Sequence, residues 1–148
     1  MSDLSAVENI KLPMNAEQLL PHRPPMLLVE SLVEKLGDNA KAVTTMPDRG
    51  ICYDPEYQFP EYFIEIIAQT MAMANGYEAL CAGETMNDGM IVGVDSVSFL
   101  GTASPGATLR IDIEKTFEFG AVKIIHGEIF DGDSLLVACD LKVWEDKG

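Results

Sequence analysis

The segment FIEIIAQTMAMANGY, Phe63 to Tyr77, decides the fold of this 148-residue chain. Read as a helix, it carries apolar side chains on almost every side, and such a helix must be buried over most of its surface. Near its start stands a single carboxylate, Glu65. A charge on a buried helix costs several kcal/mol unless it is paired, lies at a wet cleft or serves a function. The role of Glu65 is therefore the central question that the sequence poses.

The residues on both sides of this segment indicate where the helix begins and ends. We predict a helix from Pro60 to Ala82. Pro60 suits the first turn, where its missing N–H is not needed, and Glu61 follows where the helix dipole favours a negative charge. Gly83 stands just past the end, where a left-handed residue commonly caps a helix.

The rest of the chain has the pattern of strands joined by turns. Residues 108–119, TLRIDIEKTFEF, alternate apolar and polar side chains, as a half-buried antiparallel strand does. We predict two strands before the helix and a meander of four after it, at 26–36, 40–46, 90–100, 108–119, 121–130 and 134–144. A polar lead-in, 1–14, and a short helix at 16–20 capped by Asn15 come first.

These elements predict one α+β domain that spans residues 1–148. A twisted antiparallel sheet of about six strands can curl around one apolar helix and bury it on most sides. The order of the elements thus accounts for the apolar character of the helix.

Composition argues against several classes of function. The formal net charge is −14, and nonspecific nucleic-acid binding depends on Lys and Arg that neutralise phosphates, so no nucleic-acid partner is expected. No stretch approaches the roughly 18 to 20 apolar residues of a membrane span, and the N-terminus lacks a signal core, so we expect a cytoplasmic protein. The cysteines, Cys52, Cys81 and Cys139, have no CxxC spacing, which argues against a disulfide framework and a zinc site.

The same charge limits how an acidic partner could bind. The chain has ten Lys and Arg residues against 24 Asp and Glu residues. An acidic carrier or substrate would be repelled at long range and would need a local basic patch. Arg23 is the first candidate for that patch, with Lys41, Arg49 and Arg110 behind it.

Glu65 shares one face of the helix with Gln69, four residues later. A glutamine at that spacing can hydrogen-bond and orient a carboxylate without neutralising it. One interpretation of Glu65 is purely electrostatic, since a carboxylate near the start of a helix is favoured by the dipole and meets water there. The other is a general acid that burial keeps protonated.

His22 is the first histidine that could work with such an acid. It stands in a turn stiffened by Pro21, Pro24 and Pro25, and a rigid turn that fixes a histidine suits a general base. Histidine is also common in turns where it has no function, so His22 alone is a weak signal. His126 lies on a predicted strand and is interpreted as a structural or surface residue.

Two sequence strings resemble a known family of enzymes. The string LLPHRPPMLLVESLVE, 19–34, resembles the active-site segment of β-hydroxyacyl-acyl carrier protein dehydratases, in which leucine, proline, histidine and arginine precede an apolar strand. The string FIEIIAQTMA, 63–72, resembles the central helix of that family, with its glutamate four residues before a glutamine. The strands after the helix follow the family as well, so the similarity covers nearly the whole chain. Two separated motifs in the right order are more specific than either alone.

The resemblance implies a hot-dog fold, in which an antiparallel sheet wraps around the long helix, and a dimer whose sites take the histidine from one subunit and the glutamate from the other. It also implies removal of water from a 3-hydroxyacyl thioester carried on the phosphopantetheine arm of an acyl carrier protein. His22 would take the C2 proton and Glu65 would protonate the departing 3-hydroxyl. No metal and no separate cofactor are expected.

The sequence departs from that family just before the helix, where QFPEYFIE replaces a Pro-Gly pair. The glycine of the pair normally gives a backbone N–H to the thioester carbonyl, but Pro60, five residues before Glu65, has none. The N–H of Glu61 or Tyr62 is the expected substitute. The shortened loop resembles a divergent subgroup linked to aryl polyene pigment synthesis, whose members can pair with a second hot-dog protein. The resemblance therefore implies a partner that is either a second copy of the chain or another hot-dog protein.

Two other functions fit the same residues. If Glu65 directs water at the thioester, the protein is a hot-dog thioesterase. A third interpretation is a non-catalytic subunit that binds acyl carrier or supports an active partner in a mixed dimer, and the missing glycine is an argument for it. Gly93 is a candidate to shape an acyl tunnel, as are Met71 and Met73, for which core packing is the first interpretation.

Overall fold

The computed structural model describes residues 10–85 and 89–145. In these residues one long helix, α1 (Pro60–Ala82), follows a 3-10 helix, Ala16–Gln18. The strands are β1 (Met14–Asn15), β2 (Ser31–Leu36), β3 (Asn39–Thr45), β4 (Gly89–Phe99), β5 (Thr108–Phe119), β6 (Val122–Asp131) and β7 (Ser134–Glu145). The described residues contain no helix that is both long and apolar enough to cross a membrane.

Helix α1 has the bounds that its end residues predict. Pro60 takes the first helical position after the extended Phe59, and Gly83 ends the helix with φ of 70°. The N–H of Gly83 donates to the last turn, as a left-handed cap does. The side chains of Ile66, Ile67 and Met73 are fully buried, so the apolar helix is enclosed as its composition requires.

One antiparallel sheet contains all seven described strands, in the order β1-β2-β3-β5-β6-β7-β4. The hot-dog arrangement of one helix against a curled antiparallel sheet is therefore present, with one strand more than the roughly six expected. The extra strand is β1, whose two residues pair with β2. The polar lead-in to residue 14 is thus partly wrong, and its first nine residues lie outside the described part of the chain.

The predicted meander of four strands is wrong at its first member. Strand β4 pairs with β7 and lies at the end of the sheet, while β5 pairs with β3 on the other side. The central place over α1 requires a strand with one continuous buried face, and β5 supplies it with Leu109, Ile111 and Ile113. A local alternation of apolar and polar residues predicts a strand but not its neighbours.

Other predicted bounds hold to different degrees. Strand β5 has the predicted limits. Strand β2, predicted to begin at residue 26, begins at Ser31. Gln69 of α1 hydrogen-bonds the carbonyl of Met26 and the N–H of Leu28. These two backbone groups are therefore not available for pairing with a neighbouring strand. The short helix at 16–20 is a 3-10 helix, and Asn15 makes no side-chain cap because it belongs to β1.

Strand β6 approaches α1 closely at Gly127. A Cβ atom placed on Gly127 would lie 2.5 Å from Cγ2 of Ile67, which is fully buried. Such a contact is far shorter than van der Waals packing allows. Glycine at this position therefore sets the distance between the helix and the sheet.

Strand β4 is the exposed edge of the sheet. Its residues Val94, Val97 and Phe99 pair with residues of β7 that are buried, yet they are themselves 43%, 37% and 48% exposed. Because directly paired residues share one face of a sheet, these three side chains extend the apolar inner face beyond the part that α1 covers. An apolar strip on an edge strand is typical of an interface with another chain.

Candidate active site

A cavity of about 360 Å³ lies between α1, the turn that contains His22 and the adjoining ends of β4 and β7. It is lined by Pro21, His22, Glu65, Ala68, Gln69, Met71, Ala72, Asn75, Gly89, Met90, Ile91, Val143 and Glu145. The two residues predicted to carry the chemistry, His22 and Glu65, thus line the same cavity within one chain. Sharing of a site between two subunits stays a prediction.

One face of α1 forms a whole side of this cavity. Glu65, Ala68, Gln69, Ala72 and Asn75 follow at spacings of three and four residues, which places them on one side of a helix. The two alanines leave room, and the other three residues carry polar groups. Sequence reasoning missed Asn75 and the alanines, although this helical spacing of small and polar residues in an apolar helix was the signal that could have found them.

Gln69 connects the two functional elements of the site. Its side chain is only 2% exposed, and its Nε2 donates to the carbonyl of Met26 at 2.9 Å and to Oε1 of Glu65 at 3.1 Å. Its Oε1 accepts the N–H of Leu28 at 2.9 Å. The bond to Glu65 is the one that the spacing predicts. The bonds to Met26 and Leu28 fix the segment that follows the His22 turn against the helix.

The His22 turn is braced by its neighbour Arg23. The Arg23 side chain donates from Nη1 to the carbonyls of Leu20 and His22, at 2.8 and 2.6 Å. Its backbone carbonyl accepts the N–H groups of Met26 and Leu27. The Nδ1 atom of His22 is buried and has no hydrogen-bond partner among the described residues. The imidazole is thus held by its backbone and is not engaged by another side chain there.

At the start of α1 the two predicted carbonyl donors differ. The N–H of Tyr62 donates to the carbonyl of Phe59 at 3.1 Å, so it is already used. The N–H of Glu61 has no acceptor among residues 10–85 and 89–145. Of the two groups only Glu61 keeps a donor for a thioester carbonyl. Neither residue lines the cavity.

The Tyr62 side chain belongs to the core. It is 3% exposed and lies edge-on to Phe63, with 5.5 Å between the ring centroids. Burial raises the pKa of its hydroxyl above the ordinary value. The Tyr62 side chain is therefore a packing residue in this chain. The predicted substrate contact concerns its backbone N–H, which bonds the Phe59 carbonyl.

Gly93 and the methionines take different places from one another. Gly93 lies in an irregular part of β4, outside the cavity, and a Cβ atom there would be 3.8 Å from Cβ of Lys142, an ordinary contact. Glycine is thus not required at this position by space. Met71 lines the cavity, as a tunnel residue would, while Met73 is fully buried in the core.

The cations predicted for a basic patch around Arg23 are mostly paired. Each of the other three cations has a carboxylate partner: Lys41 with Glu34 at 4.0 Å, Arg49 with Asp48 at 3.5 Å, and Arg110 with Asp112 at 3.1 Å. Lys41 and Arg110 alternate with buried residues and lie on the outer face of the sheet, away from α1. Arg23 is the predicted cation that adjoins the cavity.

Two of the cysteines, Cys52 and Cys139, are not activated nucleophiles. Burial, and to a smaller extent the charge of Glu65, raises the pKa of the Cys52 thiol. Burial also raises the pKa of Cys139 to about 11. Because the thiolate is the reactive form, these shifts favour inert thiols at both positions.

His126 belongs to a separate polar group on the outer face of the sheet. Its Nδ1 lies 2.8 Å from Oδ1 of Asp140, and Ser96 donates to Oδ2 of the same carboxylate at 3.0 Å. The hydrogen bond with Asp140 raises the pKa of His126, and it lowers the pKa of Asp140. The group links β4, β6 and β7, so the interpretation of His126 as a structural residue agrees with its position.

Comparison with known proteins places this geometry in context. A family model described as ApeP-like, ApeP dehydratase, matches residues 14–147. The 3-hydroxyacyl-(acyl-carrier-protein) dehydratase FabZ of Pseudothermotoga lettingae is 31% identical over 128 residues, which are 82% of this chain and 91% of that protein. The dehydratase of the same name from Alkaliphilus metalliredigens is 29% identical over 135 residues, 84% of this chain and 87% of that protein.

Among solved structures, a dehydratase heterocomplex, ApeI:P from Xenorhabdus doucetiae, is similar to this chain with a TM-score of 0.80 and 21% identity. The match covers 90% of this chain and 92% of that one. At this identity the likeness shows the fold, which agrees with the helix and sheet described above.

Proposed function

We propose, from the premise that the chain belongs to the ApeP-like dehydratase family, that it removes water from a 3-hydroxyacyl thioester and forms the trans-2-enoyl thioester. The thioester is carried by an acyl carrier protein, as the names of the FabZ relatives state for those enzymes. The product serves fatty-acid or aryl polyene synthesis in the cytoplasm. The observation that carries the proposal is one cavity lined by His22 and Glu65, with Gln69 bound to the carboxylate.

The elimination needs a base and an acid at the same time. His22 takes the proton from C2, the pair of electrons of that C–H bond forms the C2–C3 double bond, and the 3-hydroxyl leaves with a proton from Glu65 as water. Gln69 bonds Oε1 of Glu65, so Oε2 remains for the substrate hydroxyl. The Glu61 N–H stands at the positive end of the helix dipole, one turn before Glu65 and outside the residues that line the cavity. It is the proposed donor to the thioester carbonyl of a substrate that extends beyond the cavity toward the helix start.

The uncovered part of β4 supports association with another hot-dog chain. The strip of Val94, Val97 and Phe99 is apolar and exposed, as an interface requires. The similar solved structure is a heterocomplex of dehydratase chains. We therefore propose a dimer through β4, with a second copy or with another hot-dog protein. Arg23, beside the cavity, is the proposed contact for the acidic carrier.

The proposed reaction is tested by following enoyl formation from a 3-hydroxyacyl carrier substrate with three proteins: wild type, His22→Ala and Glu65→Gln. We expect each substitution to lower kcat at least a hundredfold, because general acid–base catalysis contributes roughly 10² to 10⁴. The His126→Ala protein is the matched control and should keep wild-type activity, since His126 lies on the outer face of the sheet. Unchanged activity in both site variants would overturn the proposal, and release of free thiol without an enoyl product would indicate a thioesterase.

One observation favours the non-catalytic alternative. Pro60 has no N–H and the Tyr62 N–H is used by Phe59, so of the first three helical residues only Glu61 keeps a backbone donor without an acceptor in the described part of the chain. A subunit that only supports an active partner does not need further backbone donors for a thioester carbonyl. This alternative predicts a mixed dimer whose activity does not change when His22 of this chain is replaced by alanine.

A further inference from the structure

The far end of the cavity is polar. From Glu65 the cavity follows α1 to Asn75, ten residues further on, which is about 15 Å along the helix axis. The walls between are formed largely by alanine, methionine, isoleucine and valine side chains. At the far end, Asn75 of the helix and Glu145 of β7 both line the cavity. An apolar passage therefore connects the proposed catalytic pair with a second pair of polar side chains.

Asn75 has no structural task that explains it. Its amide could make four hydrogen bonds, yet it has no hydrogen-bond partner in the described part of the chain. Asparagine is also a weaker helix former than alanine or leucine, so the helix does not favour it at this position. An amide that is half-buried, unpaired and on a cavity wall is available to a ligand.

Glu145 is buried and held in place. It is 6% exposed, its N–H donates to the carbonyl of Ala121 at 2.9 Å, and its Oε2 is paired with the ammonium of Lys123, which is 7% exposed. No donor among the described residues reaches the other carboxylate oxygen, Oε1. Lys123 also lies 3.6 Å from Oε2 of Glu118, so its ammonium offsets the charge of Glu145 only in part. The carboxylate therefore repels an anion, and its Oε1 is open to a hydrogen-bond donor.

We propose that Asn75 and Glu145 bind a hydroxyl group at the distal end of the acyl chain. The inference rests on the proposed function, which puts the thioester beside His22 and Glu65. A hydroxyl can donate to Glu145 and accept from Nδ2 of Asn75. A methyl end would displace water from both groups without forming a hydrogen bond to either. Sites built around such polar groups discriminate strongly against the analogue that lacks the hydroxyl.

The test compares ω-hydroxy and ω-methyl 3-hydroxyacyl pantetheine thioesters, in pairs of increasing chain length, by calorimetry. Binding is measured to the His22→Ala protein, which cannot turn the compounds over, so the result does not depend on catalysis. At the chain length that spans the cavity, the ω-hydroxy compound should bind at least about tenfold more tightly, the effect of one net hydrogen bond. Asn75→Leu in the same background should abolish the difference.

The control is Thr70→Val, also in the His22→Ala background. Thr70 lies on α1 but outside the cavity, and its hydroxyl bonds the carbonyl of Ile66, so this change removes a polar group without touching the passage. It should leave the preference for the ω-hydroxy compound intact. Equal affinity within every pair, binding of neither compound, or a preference that survives Asn75→Leu would overturn the inference. Turnover by the wild type tests the proposed function separately.

Discussion

Gln69 joins the base and the acid of the proposed reaction through a single amide. Its three hydrogen bonds reach the helix, through Glu65, and the segment that follows His22, through Met26 and Leu28. An amide is suited to this position because it donates and accepts at the same time without adding a charge. The distance between the two side chains proposed to be catalytic therefore depends on a residue that takes no part in the proposed proton transfer.

Replacing Gln69 by leucine should lower both stability and activity. The change leaves the Leu28 N–H and the Met26 carbonyl without partners, so we expect the free energy of unfolding to fall by about 2 kcal/mol. Because the orientation of Glu65 is lost as well, kcat should fall more than KM rises. Urea denaturation and steady-state kinetics measure the two effects. Gln18→Leu, on the exposed 3-10 helix, is the matched control, and a Gln69→Leu protein with wild-type kcat would contradict this role.

At the scale of elements, the contact between α1 and β6 determines how the sheet holds its helix. Gly127 lies against Ile67, and the fully buried residues around them come from the helix and from several strands. A core packed to this density has no space for an additional methyl group. The distance between α1 and β6 therefore depends on the absence of a side chain at Gly127.

Gly127→Ala should destabilise the protein by about 1 to 3 kcal/mol through overpacking against Ile67. In an Ile67→Ala background, where the opposing side chain is gone, the same change should cost much less, and a double-mutant cycle of urea midpoints measures this coupling. Gly93→Ala is the control, since its Cβ would meet Lys142 at an ordinary 3.8 Å. A cost of Gly127→Ala that is equal in both backgrounds would contradict the proposed contact.

Particular residues explain how far the sequence predicts this fold and site. Pro60 and Gly83 act within a turn of the chain, so the limits of α1 could be predicted from them alone. The neighbours of β4 could not, because strand pairing joins distant segments and a single alternating pattern fits several partners. His22 and Glu65 were found through their motifs, and Gln69 through its spacing.

Other parts of the site depend on tertiary structure. Asn75 could have been predicted from the helical spacing of the residues that line the cavity. Glu145 could not, because it lines the cavity only through the pairing of β7 with β4 at that end of the sheet. The availability of a backbone donor at Glu61 and not at Tyr62 depends on the carbonyl of Phe59, which follows from local geometry that residue types do not determine.

At the scale of the whole molecule, the sheet is wider than its helix can cover. The inner face continues from β7 onto β4, where Val94, Val97 and Phe99 remain exposed although their partners in β7 are buried. A net charge of −14 opposes close approach of two copies at low salt, so the apolar strip has to supply the attraction between them.

Val94→Lys should prevent association through β4. We expect light scattering to find the wild type as a dimer, with itself or with a co-expressed second hot-dog protein, and the variant as a monomer, because a lysine ammonium cannot be buried unpaired at such an interface. Leu36→Lys, at an exposed position on β2 in the other half of the sheet, should leave the dimer unchanged. A dimeric Val94→Lys protein, or a wild type that is monomeric in both preparations, would contradict this interface.

The exposed strand β4 also makes the lifetime of the chain depend on how much of its partner is present. A newly made copy with an exposed apolar strand is open to aggregation and to proteases until another chain covers it. If the partner is a different protein, the cell must synthesise the two in matched amounts, and a surplus of this chain would be degraded. The dosage of one polypeptide would then set the amount of the other that survives.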